Sequence, residues 1–233
     1  MRFSGILLGI ILIALLSSLV IYLMYGRVLI YLIGETNGLD VSYEALRTSG
    51  LHDFSFAGLS VTDRRSGLGI FSKNAQAAAS LRGHDFKQVS LRLNLEEVSF
   101  IHRSTETVSS YDNLAGLVAL PFKGNWVYNY ISGNIELSDG MVRLDKISAV
   151  SNDIRLAVSG NISKNKNIDI AIKIEFSDNV ARRMPEELTN AVLSEEGAGW
   201  KSLSVRLTGN FSKPAMQVSG KLFRLNIREV SES

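Results

Sequence analysis

The chain has 233 residues, no cysteine and a formal charge of only +2. Those values exclude a disulfide framework and thiolate metal centres, and they provide no basic excess for a nucleic-acid partner. The 25 basic residues include Arg2 and Arg27, while all 23 acidic residues follow residue 34, so the chain beyond that point is neutral.

Residues 3–26 carry no charge and are dominated by Ile, Leu and Val. About 20 apolar residues suffice to cross a bilayer. The run therefore predicts an uncleaved, single-pass signal anchor, with its helix continuing through residues 28–33 and Tyr22, Tyr25 and Tyr31 at interface depth. A cleaved signal peptide is the competing reading, but the run is long for one and no Ala-x-Ala site precedes Arg27. Arg2 and the amino terminus lie before the span and Arg27 alone lies close behind it. That bias puts the amino end in the cytoplasm and the bulk of the chain outside. The expected division is an anchor over residues 1–34, touching the membrane through residues 3–33, and an extracytoplasmic domain over residues 35–233.

Residues 35–50 read as a polar junction broken by Gly34, Asn37 and Gly38. Short apolar bursts follow at 54–56, 59–61 and 69–71, and Asp63-Arg64-Arg65-Ser66-Gly67 reads as a hairpin loop. Residues 75–80 are alanine-rich and fit a helix or a strand. Val89, Leu91, Leu93 and Leu95 alternate with polar residues, which predicts a strand. Residues 104–110 read as an exposed loop, and 114–120 as a short buried helix ended by Pro121. Trp126, Tyr128 and Tyr130 alternate with Val127 and Asn129. Ser138-Asp139-Gly140 marks a hairpin turn.

The clearest strand covers residues 168–176. Ile168, Ile170, Ile172, Ile174 and Phe176 share one face, each worth roughly 1.5–3 kcal/mol when buried, and this fixes the register. A helix is expected from Pro185-Glu186-Glu187, with Leu188 and Val192 as an i, i+4 pair, ending near Gly197-Ala198-Gly199. Two strands follow, at 203–207 and from Met216, joined by a turn at Ser212-Lys213-Pro214. One short pattern recurs three times: Ser132-Gly133-Asn134-Ile135, Ser159-Gly160-Asn161-Ile162 and Thr208-Gly209-Asn210-Phe211. Gly-Asn on an alternating stretch suggests a kink, bulge or turn that needs positive φ. The expected fold is mainly β: the N-terminal transmembrane helix, then a curved antiparallel β-sheet domain with a short helical insertion.

No residues are predicted to be catalytic, to hold a cofactor or to bind a metal. His52, His84 and His102 have no metal-ligand spacing. His52-Asp53 and His84-Asp85 are neighbours, which point to opposite faces of a strand. Glu186, Glu187, Glu195 and Glu196 lack the loop spacing of a calcium site, and the first pair complements a helix amino terminus. Asn161-Ile162-Ser163 and Asn210-Phe211-Ser212 fit a glycosylation sequon but read more simply as turns. The remaining candidate is the apolar stripe of Ile168, Ile170, Ile172, Ile174 and Phe176 with Leu203, Val205 and Leu207. It is either the inside of a lipid-accommodating groove or the core of a closed sandwich or of a sheet covered by helix 185–194. An open groove leaves an apolar patch larger than a few hundred Å², which separates the two.

The order of these features resembles the AsmA-like proteins of Gram-negative envelopes. The resemblance rests on the anchor, on Leu51-His52-Asp53-Phe54-Ser55-Phe56-Ala57-Gly58-Leu59-Ser60-Val61-Thr62-Asp63 as an early strand pair, and on Leu207-Thr208-Gly209-Asn210-Phe211-Ser212-Lys213-Pro214 as the Gly-to-Pro signature near the end of such domains. It implies an inner-membrane anchor with the bulk of the chain in the periplasm, no enzymatic activity, and phospholipid or another lipid as partner in outer-envelope biogenesis or lipid transport. The chain is also similar in size and layout to the type II secretion protein N group. That branch implies a structural role with envelope or secretion-complex proteins as partners.

Overall fold

A computed structural model describes residues 25–27, 30–32, 34–36, 38–50, 52–82, 88–101, 114–123, 126–211, 213–222 and 224–227. The expected anchor over residues 3–33 lies mostly outside these, as do the loop at 104–110, His84 and His102. Among the described residues, no helix is long and apolar enough to cross a membrane.

Thirteen strands form one antiparallel sheet. They are β1 (Leu39–Ser42), β2 (Ala45–Ser49), β3 (Asp53–Asp63), β4 (Gly69–Arg82), β5 (Gln88–Ile101), β6 (Val127–Ser138), β7 (Met141–Val150), β8 (Ile154–Ile162), β9 (Asn167–Ser177), β10 (Ser194–Gly197), β11 (Trp200–Asn210), β12 (Lys213–Ser219) and β13 (Arg224–Ile227). From β3 to β9 each strand pairs with the next in sequence, and the sheet runs on through β11, β12 and β13. β1 and β2 share the outer edge of β3, and β10 pairs with β11. Local pairing of this kind follows from short hairpin turns. Asp139 and Gly140 both have positive φ (48° and 76°), the geometry of the two-residue turn their types favour. The alanine-rich stretch 75–80 belongs to β4, where strand pairing on both sides overrides helix propensity.

The alternation breaks in register across four strands. Gly58, Lys73, Glu97 and Asn129 drop out of the pairing between their neighbours, with positive φ at Gly58 and Glu97. Residues facing inward are therefore three apart across this line: Phe56 and Leu59, Ser72 and Ala75, Leu95 and Val98, Tyr128 and Ile131. Inward Ser72 is satisfied, its hydroxyl 2.6 Å from the Asn74 carbonyl and 2.9 Å from that of Glu96. The line also separates Tyr128, fully buried, from Tyr130, 44% exposed. Simple alternation puts those two on one face; the break sends them to opposite sides.

One face of the sheet carries the core. Three short helices lie on it: α1 (Leu114–Ala119), α2 (Asp178–Ala181) and α3 (Glu186–Val192). After α1 the chain tightens into a 3-10 turn at Leu120–Phe122 that contains Pro121, so proline sits inside the helical run rather than just after it. Phe100 stacks edge-on against Phe122 and Tyr128. The Tyr128 hydroxyl donates to the Pro121 carbonyl at 2.7 Å, and burial pushes its pKa up. The third helix ends at Val192, earlier than Gly197. The Gly-Ala-Gly segment instead makes the tight turn between β10 and β11, with positive φ at all three residues. Lys213 and Pro214, expected in a turn, belong to β12, with Pro214 opposite Gly209.

The N-terminal helical residues pack on the same face. Tyr25 stacks against Phe54, and Gly26 sits so close to β2 that an added β-carbon would lie 2.9 Å from Thr48. Further along, Gly34 lies against Leu39 and Val41. Arg64 then bonds Glu35 and Asp40 at 2.6 and 2.7 Å. The hydrogen bond from Arg64, with its positive charge, holds the Glu35 pKa below its ordinary value.

Candidate functional site

The apolar stripe is a set of cross-strand neighbours. In the β9–β11 register Ile170 faces Leu207, Ile172 faces Val205 and Ile174 faces Leu203, while Ile168 faces Gly209 and Phe176 faces Lys201. Directly opposed residues share a face of the sheet. All eight candidate residues therefore lie together on the core-bearing face. β8 continues the set: Leu156 and Val158 stand opposite Ile174 and Ile172. Their alternation is visible in the sequence and the short turn at 163–166 makes their pairing to β9 local, whereas the β9–β11 pairing spans residues 178–199 and is not given by periodicity.

Burial divides the stripe along the strands. Ile174 and Phe176 are fully buried, and Leu203 and Val205 nearly so. They belong to one core cluster with Ile154, Leu156, Val180, Met184, Val192, Leu193 and Val218. The cover is α2 and α3, which follow directly from β9. The Asp178 amide donates to the Gly199 carbonyl, and the amides of Lys221 and Leu222 donate to the carbonyls of Val192 and Ala191. Gly220 passes too near the Val192 carbonyl for any side chain. This half of the stripe is closed core.

Among the described residues, no helix lies over the other half. Ile170, Ile172 and Leu207 are half-buried, and Ile168 is buried outside the main cluster. Val89, Leu91, Leu93, Ile135, Val142, Leu144 and Ile162 share their face through the register and are also half-buried, and Leu137 is exposed. Together they make an apolar band across β5 to β9 and β11, about 24 Å wide at one strand per 4.8 Å. Two glycines of the repeated motif shape it. Gly133 sits under Ile147, where a β-carbon would lie 2.4 Å from the isoleucine side chain. It stands beside a bulge at Asp145–Ile147 in β7. Gly160, at φ 151°, approaches the Asp169 carbonyl so closely that a β-carbon would lie 2.2 Å away. Gly209 has positive φ but open space around it.

The opposite face is polar. Ser148, Ala157, Ser204 and Ser219 line a hollow of about 700 Å³ with Lys173 and Arg206. Its charges are already partnered: Lys173 bridges Glu175 and Glu196 at 3.0 and 2.9 Å, and Arg206 grips both oxygens of Asp169 at 2.8 Å. These contacts raise the pKa of Lys173, through Glu196 first and then Glu175, and lower that of Asp169. Arg155 stacks over Trp200 at 3.8 Å. Among the described residues, no three His, Asp or Glu side chains converge to hold a metal ion. The arrangement offers apolar contact on one face and locks charge pairs on the other. No protein-family model matches this chain, and no curated protein or solved structure matches it either; the resemblance to AsmA-like proteins rests on the residues quoted for it.

Proposed function

We propose that this chain is a non-enzymatic, membrane-anchored envelope protein that shelters an acyl chain of a phospholipid or similar lipid on the uncovered half of its apolar sheet face. The observation that carries the reading is the division of that face. One end is sealed by α1, α2 and α3, while the band around Ile135, Leu144, Ile170 and Leu207 continues from the core with no helix over it among the described residues. A half-buried apolar band continuous with the core suits an apolar ligand, and removal of acyl surface from water supplies the driving force. The AsmA-like resemblance supports an inner-membrane anchor with the sheet in the periplasm and a role in lipid transport or envelope biogenesis.

A phospholipid with a photoactivatable acyl tail tests this in membranes holding the full chain. Crosslinks are expected within residues 135–144 and 168–170, and Ile170→Asp should remove them while the melting temperature holds. A folded chain without crosslinks on that face would overturn the reading. It would favour a structural component of a secretion or envelope complex, a role suited to a sheet with free edges at β1, β2 and β13.

A further inference from the structure

We infer that the hairpin turns at the open end of the sheet rest on the surface of a bilayer that contains anionic phospholipid. The inference rests on the anchoring half of the proposed function and not on lipid shelter.

The turns at 138–141 and 163–166, and Phe211 and Lys213 at the ends of β11 and β12, all lie at the end of the strands away from the described helices. They form a continuous rim. The Lys164 side chain packs beside Gly140, and the Phe211 amide donates to the Lys166 carbonyl at 2.8 Å. Large apolar side chains stand out from this rim, with Phe211 59% and Met141 45% exposed. Exposed Lys164, Lys166 and Lys213 flank them, against Asp139 as the acid at the turns. Exposed apolar side chains among lysines suit a headgroup boundary: the first enter it and the second attract lipid phosphates.

The opposite end does not have this character. It also exposes Leu68, Val127 and Leu222. There, however, Arg64 is paired with Glu35 and Asp40, Arg182 with Asp178, and α3 presents Glu186 and Glu187. Mixed charge gives no net pull toward an anionic surface.

The path of the chain points to the same end. The described chain begins at Tyr25 and Gly26, against Phe54 and Thr48, and proceeds to Glu35 beside Arg64. Phe54 lies near the start of β3, and Arg64 follows its last residue. The helical residues thus travel from the open half of the sheet toward the capped end. In the sequence the apolar run of residues 3–24 directly precedes Tyr25, whose partner Phe54 belongs to the open half. Phe54 shares a register line with Gly133, five residues before Ser138, so the rim is about 17 Å farther along the strands at 3.3 Å per residue.

The chain's lack of cysteine makes the test direct. Full-length protein carrying Met141→Cys, Phe211→Cys or Leu222→Cys is labelled with a fluorophore and reconstituted into vesicles of phosphatidylcholine and phosphatidylglycerol. The lipids bear a nitroxide near the glycerol end of the acyl chain. Labels at 141 and 211 should be quenched and the label at 222 should not. Replacing Lys164, Lys166 and Lys213 by Glu should bring quenching at 211 down toward the level at 222, as should omission of phosphatidylglycerol. Quenching at 222 alone, or equal quenching at all three sites, overturns the inference. Failure of the protein to float with the vesicles overturns it together with the anchor. Rim quenching without acyl crosslinks on the apolar band leaves the inference standing and removes lipid shelter.

Discussion

At Gly160 the backbone runs at φ 151° and leaves 2.2 Å between an added β-carbon and the Asp169 carbonyl oxygen. That obstacle is main chain, which cannot rotate aside as a side chain can. Gly209 belongs to the same repeated motif and has φ 92°, yet nothing lies within 4 Å of its added β-carbon. The two positions separate backbone strain from overlap. Gly209→Ala suffers strain alone, about 1 kcal/mol, whereas Gly160→Ala adds overpacking for a total of about 2–4 kcal/mol. Chemical denaturation of both variants checks this, and equal losses would show that β8 shifts to accommodate the methyl group. Gly133 is a third case. Its φ is not positive, and the close neighbour is the Ile147 side chain and α-carbon at the β7 bulge. A shared motif therefore marks three backbone problems rather than one structural unit.

Among the elements, β9 shows most clearly how a single strand serves two purposes. Ile174 is fully buried under α2 and α3, and Ile170, four residues earlier on the same face, is half-buried with none of the described helices above it. Ile174→Ala should cost about 2–5 kcal/mol through a cavity. Ile170→Ala should cost about 1 kcal/mol, since solvent already reaches the site. Urea midpoints compare them at constant slope. Similar large losses would mean that the upper band is as closed as the core. The strand itself was legible because five alternating apolar residues admit one pairing register. The hairpin at Asp139-Gly140 was legible because both residue types tolerate positive φ. What stayed hidden depends on distant partners. The register break at Gly58, Lys73, Glu97 and Asn129 exists only once four strands lie side by side. It reverses the expected placement of Tyr128 relative to Tyr130. Nor does the stripe announce where helices stop covering it: the helix from residue 185 is expected as cover, but how far it and the unexpected turn of helix at 178–181 reach along β9 and β11 depends on tertiary packing. The eight candidate residues were thus found as one face, but its division into core and open band was not.

For the molecule as a whole, the consequence is a gradient of stability along the strands. Apolar contacts from β3 to β12 and the three helices converge on one cluster at the capped end. The open end has hydrogen-bonded strands with an uncovered apolar face, so local opening there exposes little additional apolar surface. Amide exchange opens a structure in order of such local cost. Residues 95–101, 127–131, 172–177 and 200–205 should exchange only through global unfolding, with mutual protection that falls together in denaturant. Residues 88–92, 138–144, 162–168 and 207–211 should exchange faster by sub-global opening, although they sit in the same strands. Hydrogen exchange read by mass spectrometry resolves these segments. The comparison is internal to each strand, so differences in strand propensity do not mimic the result. Uniform protection from end to end would mean that the sheet behaves as a closed structure. The fast half is also where an acyl chain or a bilayer would add contacts, and occupancy should therefore slow exchange at residues 135–144 and 168–170 while leaving the capped end unchanged.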